Sequence, residues 1–394
     1  MEQTAVKKNR IDWVMVGTAL MLVIFGLVMI YSASSYEAQI KYSSATLFVR
    51  KQLISTAVGV VGMILAAVIP YRFWKSKVSY IIYVATVAAT FLVLTRLGID
   101  VNGARRWIDL NVITLQPAEF LKVGVILCEA ALIYRNRNKL GSLKGFAYTV
   151  APSILAAAIV ALVTKDLGTA IVIFVIGIVM IALVAPKKKY IGYLIAFVLA
   201  AGVILILIQP YRMVRIKAWL KPAAYADKES YQPLQALYAI ASGGFFGKGL
   251  GKSTQKLGFI PESENDMIFS IICEELGVFG GLCLIALIGL LLWRIWLMYK
   301  NTDDIFGKLV IAGIMAHIGF QTFLNIGVVS SLLPNTGVPL PFISYGGSSI
   351  MALLVELGLV ISVARGRGTE EKAAKKPKKP VLREDKSRGV IYYQ

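Results

Sequence analysis

Histidine, cysteine and acidic residues are scarce in this 394-residue chain, and each scarcity removes a class of function. The three cysteines, Cys128, Cys273 and Cys283, each sit in an apolar run without CxxC spacing or companion histidines, which argues against a disulfide framework and a zinc site. The one histidine, His317, lies in IAGIMAHIGF and reads as a core or helix-contact residue, with a proton relay as the alternative. Charged residues make up 16% of the chain against 57% hydrophobic ones, and mean hydropathy is +0.70. That composition lies outside the range of a soluble domain with one buried core. Acids number 22 against 42 Lys and Arg, a net charge of +20 that has to be placed before it is read as function.

Apolar runs predict an all-α polytopic membrane protein of about ten transmembrane helices, near residues 11–31, 52–70, 78–95, 118–134, 147–164, 168–185, 190–209, 267–293, 306–326 and 347–364. The first run follows Lys7, Lys8 and Arg10 and is too long for a cleavable signal. Short loops holding Arg72, Lys75 and Lys77, then Arg135, Arg137, Lys139 and Lys144, then Lys187, Lys188 and Lys189, fall on the side of the N-terminus. By the positive-inside rule both termini are cytoplasmic. Residues 1–10 then form a cytoplasmic N-terminus, 11–364 the membrane domain, and 365–394 a basic disordered cytoplasmic tail with ten Lys or Arg against four acids. The loops at 32–51, 96–117, 165–167, 210–266 and 327–346 are extracytoplasmic.

The large extracytoplasmic loop between helices seven and eight, 210–266, is itself basic, with Arg212, Arg215, Lys217, Lys221, Lys228, Lys248, Lys252 and Lys256. An anionic ligand outside the membrane is one reason for that charge, and a solvated surface near headgroups is the other. Its ASGGFFGKGLGKS run is no nucleotide loop, because Phe246 stands where GxxxxGK[ST] requires glycine.

Ionisable residues inside apolar helices are costly and face protein or water. Glu119, Lys122 and Glu129 share one face of the fourth helix, as a polar stripe or as a structural Glu119–Lys122 pair. Around the eighth helix, Asp266, Ser270, Glu274 and Gly277 share a face while Glu275 points elsewhere. The apolar part, Ile268 to Trp293, is about 39 Å long as a continuous helix, which puts Asp266 at the outer interface. Asp266 is there either a working carboxylate or an ordinary helix cap. The turn Thr164 to Gly168 brings Lys165 and Asp166 to the same interface, and NGARRWIDL (102–110) brings Arg105, Arg106 and Trp107. The run from Asn325 to Ser349, with Pro334, Pro339 and Pro341, cannot be a continuous helix and reads as a folded or re-entrant loop.

These motifs, NGARRWIDL, QPAEFLKV (116–123), DLGTA (166–170), the stretch from Tyr231 through SGGFFGKGLGKSTQKLGFIPE to Gly280, and NIGVVSSLLPNTGVPLPFISYGGSS, resemble in order those of the SEDS family of shape, elongation, division and sporulation proteins, typified by FtsW, RodA and SpoVE. The resemblance covers nearly all of 11–364. It implies a ten-helix glycosyltransferase of type C character in a bacterial cytoplasmic membrane, polymerising lipid II into peptidoglycan glycan strands. It also implies a class B penicillin-binding protein and other division or elongation membrane proteins as partners, and no nucleic acid. The family's catalytic aspartate falls on Asp266, and the lysine that approaches it falls on Lys122. Glu119, Arg105, Arg106, Trp107 and Asp166 match positions lining the same cavity, and Lys252, Gln255, Lys256, Glu262 and Ser344 join the substrate-binding set through their motifs. Where this chain has Glu264, family members often have histidine, and where it has Lys165 they often have proline. A divalent cation near Asp266, Glu262 and Glu264 is left open, since nothing fixes a ligand geometry. A lipid II flippase and a non-catalytic scaffold are the competing readings.

Overall fold

The computed structural model describes residues 11–101, 103–109, 114–374, 383–385 and 390–392. The expected N-terminal segment 1–10, Asn102, 110–113 and, within the expected tail, 375–382, 386–389 and 393–394 lie outside the described residues, whereas the start of that tail, 365–374, is helical. The helices are α1 (Trp13–Tyr42), α2 (Leu47–Val68), the short α3 (Tyr71–Trp74), α4 (Val78–Phe91), α5 (Pro117–Asn136), α6 (Leu143–Val163), α7 (Leu167–Ala182), α8 (Lys189–Ile208), α9 (Pro210–Leu220), α10 (Tyr231–Gly243), α11 (Ile268–Lys300), α12 (Ile305–Val329) and α13 (Gly347–Ala374). Three strands, β1 (Gly98–Val101), β2 (Ala104–Asp109) and β3 (Thr114–Leu115), form one antiparallel sheet, and β4 (Arg383–Asp385) and β5 (Val390–Tyr392) pair in the tail. Among the described residues, seven helices are long and apolar enough to cross a membrane: α1, α2, α6, α8, α11, α12 and α13. The chain is a helical, multi-pass membrane protein.

The bundle is arranged around α5. Gln116 is extended and Pro117 takes the first helical position, where its missing N–H costs nothing. Sixteen of the twenty residues of α5 are buried, including Glu119, Lys122 and Glu129, by packing against α4, α6, α7, α12 and α13. A helix buried on every side is apolar on every side unless its polar groups find partners, and those three ionisable residues, rather than low hydropathy, set α5 apart from the seven apolar spans. At the other extreme stands α8, whose apolar stretch is only 6% buried.

Three expectations change. The loop expected at 32–51 is mostly helix: α1 continues to Tyr42, with Ser34 Oγ donating to the Ile30 carbonyl and Ser32 buried against Glu275. The 96–117 segment contains the sheet β1–β2–β3, and 210–266 contains α9 and α10. Most consequential, α11 is not continuous. Gly277 has φ 73 and ψ 179, so a short helix ends there and a second begins, and the assumed face running from Ser270 through Gly277 does not exist. Any Cβ at Gly277 would overlap the Phe245 carbonyl, and the positive φ independently favours glycine.

Candidate active site

The break in α11 is stabilised by an exchange of main-chain partners. An unbroken helix would bond Val278 N to Glu274 O and Phe279 N to Glu275 O. Here Val278 N donates to Gly244 O (2.9 Å) and Phe279 N to Phe245 O (3.1 Å), while Lys248 N and Gly249 N donate to Glu274 O (3.0 Å) and Glu275 O (2.9 Å). Gly247 lets the two backbones come this close, because a side chain there would collide with the Glu275 carbonyl. The glycine-rich run that fails as a nucleotide loop is therefore a strap across a broken helix.

Two carboxylates fasten the strap. Glu274 accepts from Lys248 Nζ (2.6 Å), Thr254 N (3.1 Å), Thr254 Oγ1 (2.8 Å), Gln255 N (3.3 Å) and the Ser253 hydroxyl. Glu275 accepts from Lys256 Nζ (2.8 Å) and Ser32 Oγ (2.7 Å). Glu275, expected to point away from the face of Ser270 and Glu274, is turned toward Ser32 of α1, and the strap reaches it there through Lys256. Lys256 and the main chain of Gln255 are committed to this anchor, whereas Lys252 stays exposed.

The strap leads into the turns that carry Asp266. The cap position of α11 is Met267, without a side-chain cap bond, so Asp266 is not the helix cap that its position suggested. Its main-chain oxygen accepts from Asn325 Nδ2 (2.7 Å), which also donates to Val338 O (2.9 Å). Gly337, with φ +68, lies against the Asp266 carboxylate, and Tyr345 N donates to Glu264 O (2.8 Å). Burial, and secondarily the charge of Glu262, push the Asp266 carboxyl up to about 6, partly opposed by main-chain N–H groups and by Arg215 of α9. Glu262 is exposed and accepts from Asn265 Nδ2 (2.9 Å). Glu264, buried and facing Glu37 and Lys41, is raised to about 7, mainly by burial. Among the described residues no group of three His, Cys, Asp or Glu is spaced to hold a metal ion.

Lys122 does not reach Asp266. Its ammonium bonds Glu119 Oε1 (2.9 Å) and Gln321 Oε1 (2.8 Å), all within the buried core. The same Gln321 oxygen meets His317 Nε2 (2.9 Å), and His317 Nδ1 meets Glu356 (2.8 Å). Gln321 Nε2 donates to Pro339 O (3.0 Å), so its oxygen can only accept and His317 must carry a proton on Nε2. His317, Gln321 and Asn325 recur every four residues on α12, each fully or almost fully buried. This stripe holds Lys122 at one level and the main chain of Asp266 one turn further on. The pairing expected between Lys122 and Asp266 is thereby replaced by a shared support on α12.

The remaining predicted residues fall into two structural groups. In the β1–β2 hairpin, Ile99 pairs with Trp107 and Asp100 with Arg105, which leaves Arg106 as the extra residue of a bulge. A bulge re-aims its side chain. Arg106 accordingly reaches the turn between α6 and α7, donating to Thr164 O (3.2 Å) and Lys165 O (3.1 Å), while Lys165 Nζ returns a bond to Gly103 O (3.0 Å). Arg105 faces Asp100 at 3.8 Å with both side chains about half exposed. Asp166 caps α7 through Thr169 N and Thr169 Oγ1, both 3.0 Å, and takes a longer bond from Gln116 Nε2 (3.4 Å). Ser344 accepts from Leu340 N (2.8 Å) and braces the proline-rich loop rather than opening toward Asp266.

Residues 12–368 match the family model described as "Cell cycle protein", built on FtsW, RodA and SpoVE. The chain is 33% identical to stage V sporulation protein E of Bacillus subtilis (strain 168), over 91% of this chain and 98% of that one. It is 34% identical to the probable peptidoglycan glycosyltransferase FtsW of the same organism, over 94% of each. Among solved structures, it superposes on a chain of a peptidoglycan synthase complex that coordinates polymerization and crosslinking, with TM-score 0.73, 27% identity, and coverage of 90% of this chain and 98% of that one. The rod shape determining protein RodA of Thermus thermophilus aligns with TM-score 0.63, 27% identity, and coverage of 90% and 97%.

Proposed function

Since the chain belongs to the FtsW, RodA and SpoVE family, we propose that it is a peptidoglycan glycosyltransferase that polymerises lipid II, with Asp266 as the general base. The observation that carries the assignment of the base is the setting of Asp266: a half-buried carboxyl raised to about 6, with its main chain held by Asn325 and its charge felt by Arg215. A general base works best with a pKa near the operating pH. In the reaction the acceptor sugar hydroxyl gives its proton to the Asp266 carboxylate as its oxygen bonds the anomeric carbon of the donor. The bond from that carbon to the polyprenyl pyrophosphate breaks, and the anion leaves beside cations of the α9 segment and the exposed Lys252. Arg105, Arg106, Trp107 and Asp166 shape the neighbouring wall, and Glu119 and Lys122 support it from within. A class B penicillin-binding protein is the proposed partner that crosslinks the product.

The flippase reading has one observation in its favour, the line of ionisable groups Glu119, Lys122, His317 and Glu356 deep in the bundle. Each is at most 1% exposed and holds a partner in that line, so the line is a closed core network rather than a wetted path.

Asp266→Asn keeps the size of the side chain and removes the base. The variant is expected to accumulate normally and to polymerise purified lipid II hardly at all, with about 100- to 10,000-fold lower turnover. Near-normal polymerisation, with the loss appearing in Glu262→Gln instead, would show that the base was chosen wrongly. The proposed placement has the site on the extracytoplasmic side and both termini in the cytoplasm. A reporter inserted near Lys228 should therefore read as extracytoplasmic, and one after Lys144 or Lys189 as cytoplasmic; a cytoplasmic signal at Lys228 overturns that topology.

A further inference from the structure

At the end of the bundle opposite Asp266, where α5 ends and α6 begins, lies a cavity of ≈ 930 Å³. Tyr80 of α4, Arg135, Asn138 and Lys139 at the end of α5, and Ser142 and Lys144 at the start of α6 line it, and no acid does. Two cations elsewhere at this end are neutralised, Lys75 by Asp304 at 3.0 Å and Arg294 by Asp12 at 2.6 Å. Among the described residues no ion pair takes up Arg135, Lys139 or Lys144. Three cations outside any ion pair around one hollow, Arg135 among them in contact with the Tyr80 hydroxyl, together with the Asn138 amide, are a donor set suited to phosphate oxygens. The positive-inside tendency accounts for charge in such a loop, but not for a cavity from which every acid is excluded.

The surface leading from this cavity distinguishes a lipid from a soluble anion. Tyr148 lines the cavity and heads a stripe on α6 at intervals of seven, Tyr148, Leu155 and Leu162, exposed to 63%, 53% and 58%. On α4, which packs against α6, Ile81 and Val84 next to the pocket-lining Tyr80 are exposed to 65% and 63%. A polar, cationic hollow with interface tyrosines thus opens onto apolar helix faces that only acyl chains can cover. We propose that this pocket binds the phosphate of an anionic phospholipid, whose acyl chains lie along the α4 and α6 faces.

The test is retention of phosphatidylglycerol by the purified full chain, taken from nanodiscs of phosphatidylcholine doped with that lipid and measured by native mass spectrometry. Arg135→Gln/Lys144→Gln should lower retention roughly tenfold or more. Asn138→Trp places an indole across part of the cavity without changing charge and should lower retention several-fold, whereas Lys187→Gln/Lys188→Gln, the same charge removed elsewhere, should leave it near wild type. Elution and thermal midpoint establish that each variant is folded, and the solvent-exposed positions of Arg135, Asn138 and Lys144 keep the substitutions out of the core. Equal loss in the Lys187/Lys188 variant would reduce the effect to general surface charge and overturn the site. Full retention by Asn138→Trp would remove the cavity from the argument. Displacement of the lipid by inorganic phosphate alone would assign the pocket to a soluble anion. Because the readout is lipid retention, it stands or falls independently of lipid II turnover.

Discussion

Lys256→Met separates an anchor from a substrate ligand at a position where sequence reasoning chose the ligand. The Lys256 ammonium is buried between Glu275 Oε1 at 2.8 Å and Ser32 Oγ at 3.0 Å, and Glu275 is 0% exposed. Methionine keeps most of the stem and removes the charge. Glu275 is then left with Ser32 Oγ and a long bond from Ser253 N at 3.4 Å. Removing one partner of such a pair costs about 3–5 kcal/mol, because the other charge stays buried and unpaired. Replacing both, in Lys256→Met/Glu275→Leu, removes the charge and its partner together, leaving the Ser32 and Ser253 donors short of an acceptor. The expected coupling between the two sites is therefore about 2 kcal/mol or more. Thermal unfolding in detergent reads the stability of the two single variants and the double, and lipid II polymerisation is measured per folded molecule. Turnover near wild type is expected in the double variant. Single-variant costs that simply add in the double would deny the buried pair its assigned coupling. Restored stability with abolished turnover would make Lys256 a substrate ligand after all.

Four further outcomes follow from the same geometry. Activity dependent on ionised Asp266 should fall as pH drops through about 6; Arg215→Gln, which removes an opposing cation, should move that limb to higher pH, and Glu262→Gln should move it lower, so a limb unmoved by both contradicts the assignment. The raised carboxyl also means that its stabilising contribution is full below the ordinary 3.8 and is lost as pH rises through about 6, which pH-dependent thermal midpoints of wild type against Asp266→Asn can read. Gly277→Ala combines a positive φ with overlap on the Phe245 carbonyl and should cost more than about 2 kcal/mol, against less than about 1 kcal/mol for Gly289→Ala, where nothing lies near a Cβ; equal costs would mean that the break tolerates a side chain. Arg106→Ala frees the α6–α7 turn and should lower turnover more than membrane abundance, whereas unchanged polymerisation would confine Arg106 to the fold.

The helical, membrane-embedded character of the chain was legible because bilayer thickness imposes run lengths that hydropathy records directly, and the polar face of α5 was legible from offsets of three and seven. What escaped had no periodic signal or a misleading one. The extension of α1 was hidden because Ser32, Ser34 and Glu37 ended the apolar count, although serine bonds back to its own helix at no cost to the helical path. The bulge at Arg106 depends on strand register, which is set between segments rather than within one. The break at Gly277 left a trace, a cluster with Gly280 and Gly281, but glycine is common in membrane helices and φ cannot be read from it. The stripe His317, Gln321, Asn325 did have a signal, polar residues every four positions in an apolar helix, and reading His317 by itself discarded it. Within the candidate site, residue identity pointed to Asp266, while its partners required the packing of α9, α12 and the proline-rich loop.

The exchanged bonds at Gly277 bind two distant stretches of chain to one fate. The amides of Val278 and Phe279 are held by the strap, and those of Lys248 and Gly249 by the helix, so neither pair can be released to solvent while the other remains closed. In a hydrogen-exchange experiment these four amides belong to a single opening unit that spans about thirty residues of sequence, with one shared protection rather than a gradient fraying from each helix end. Chain length is constrained in the same way. One residue added between Gly244 and Gly249 would put both sets of partners out of step, whereas a residue added in the exposed turn around Asp227 meets no such lock.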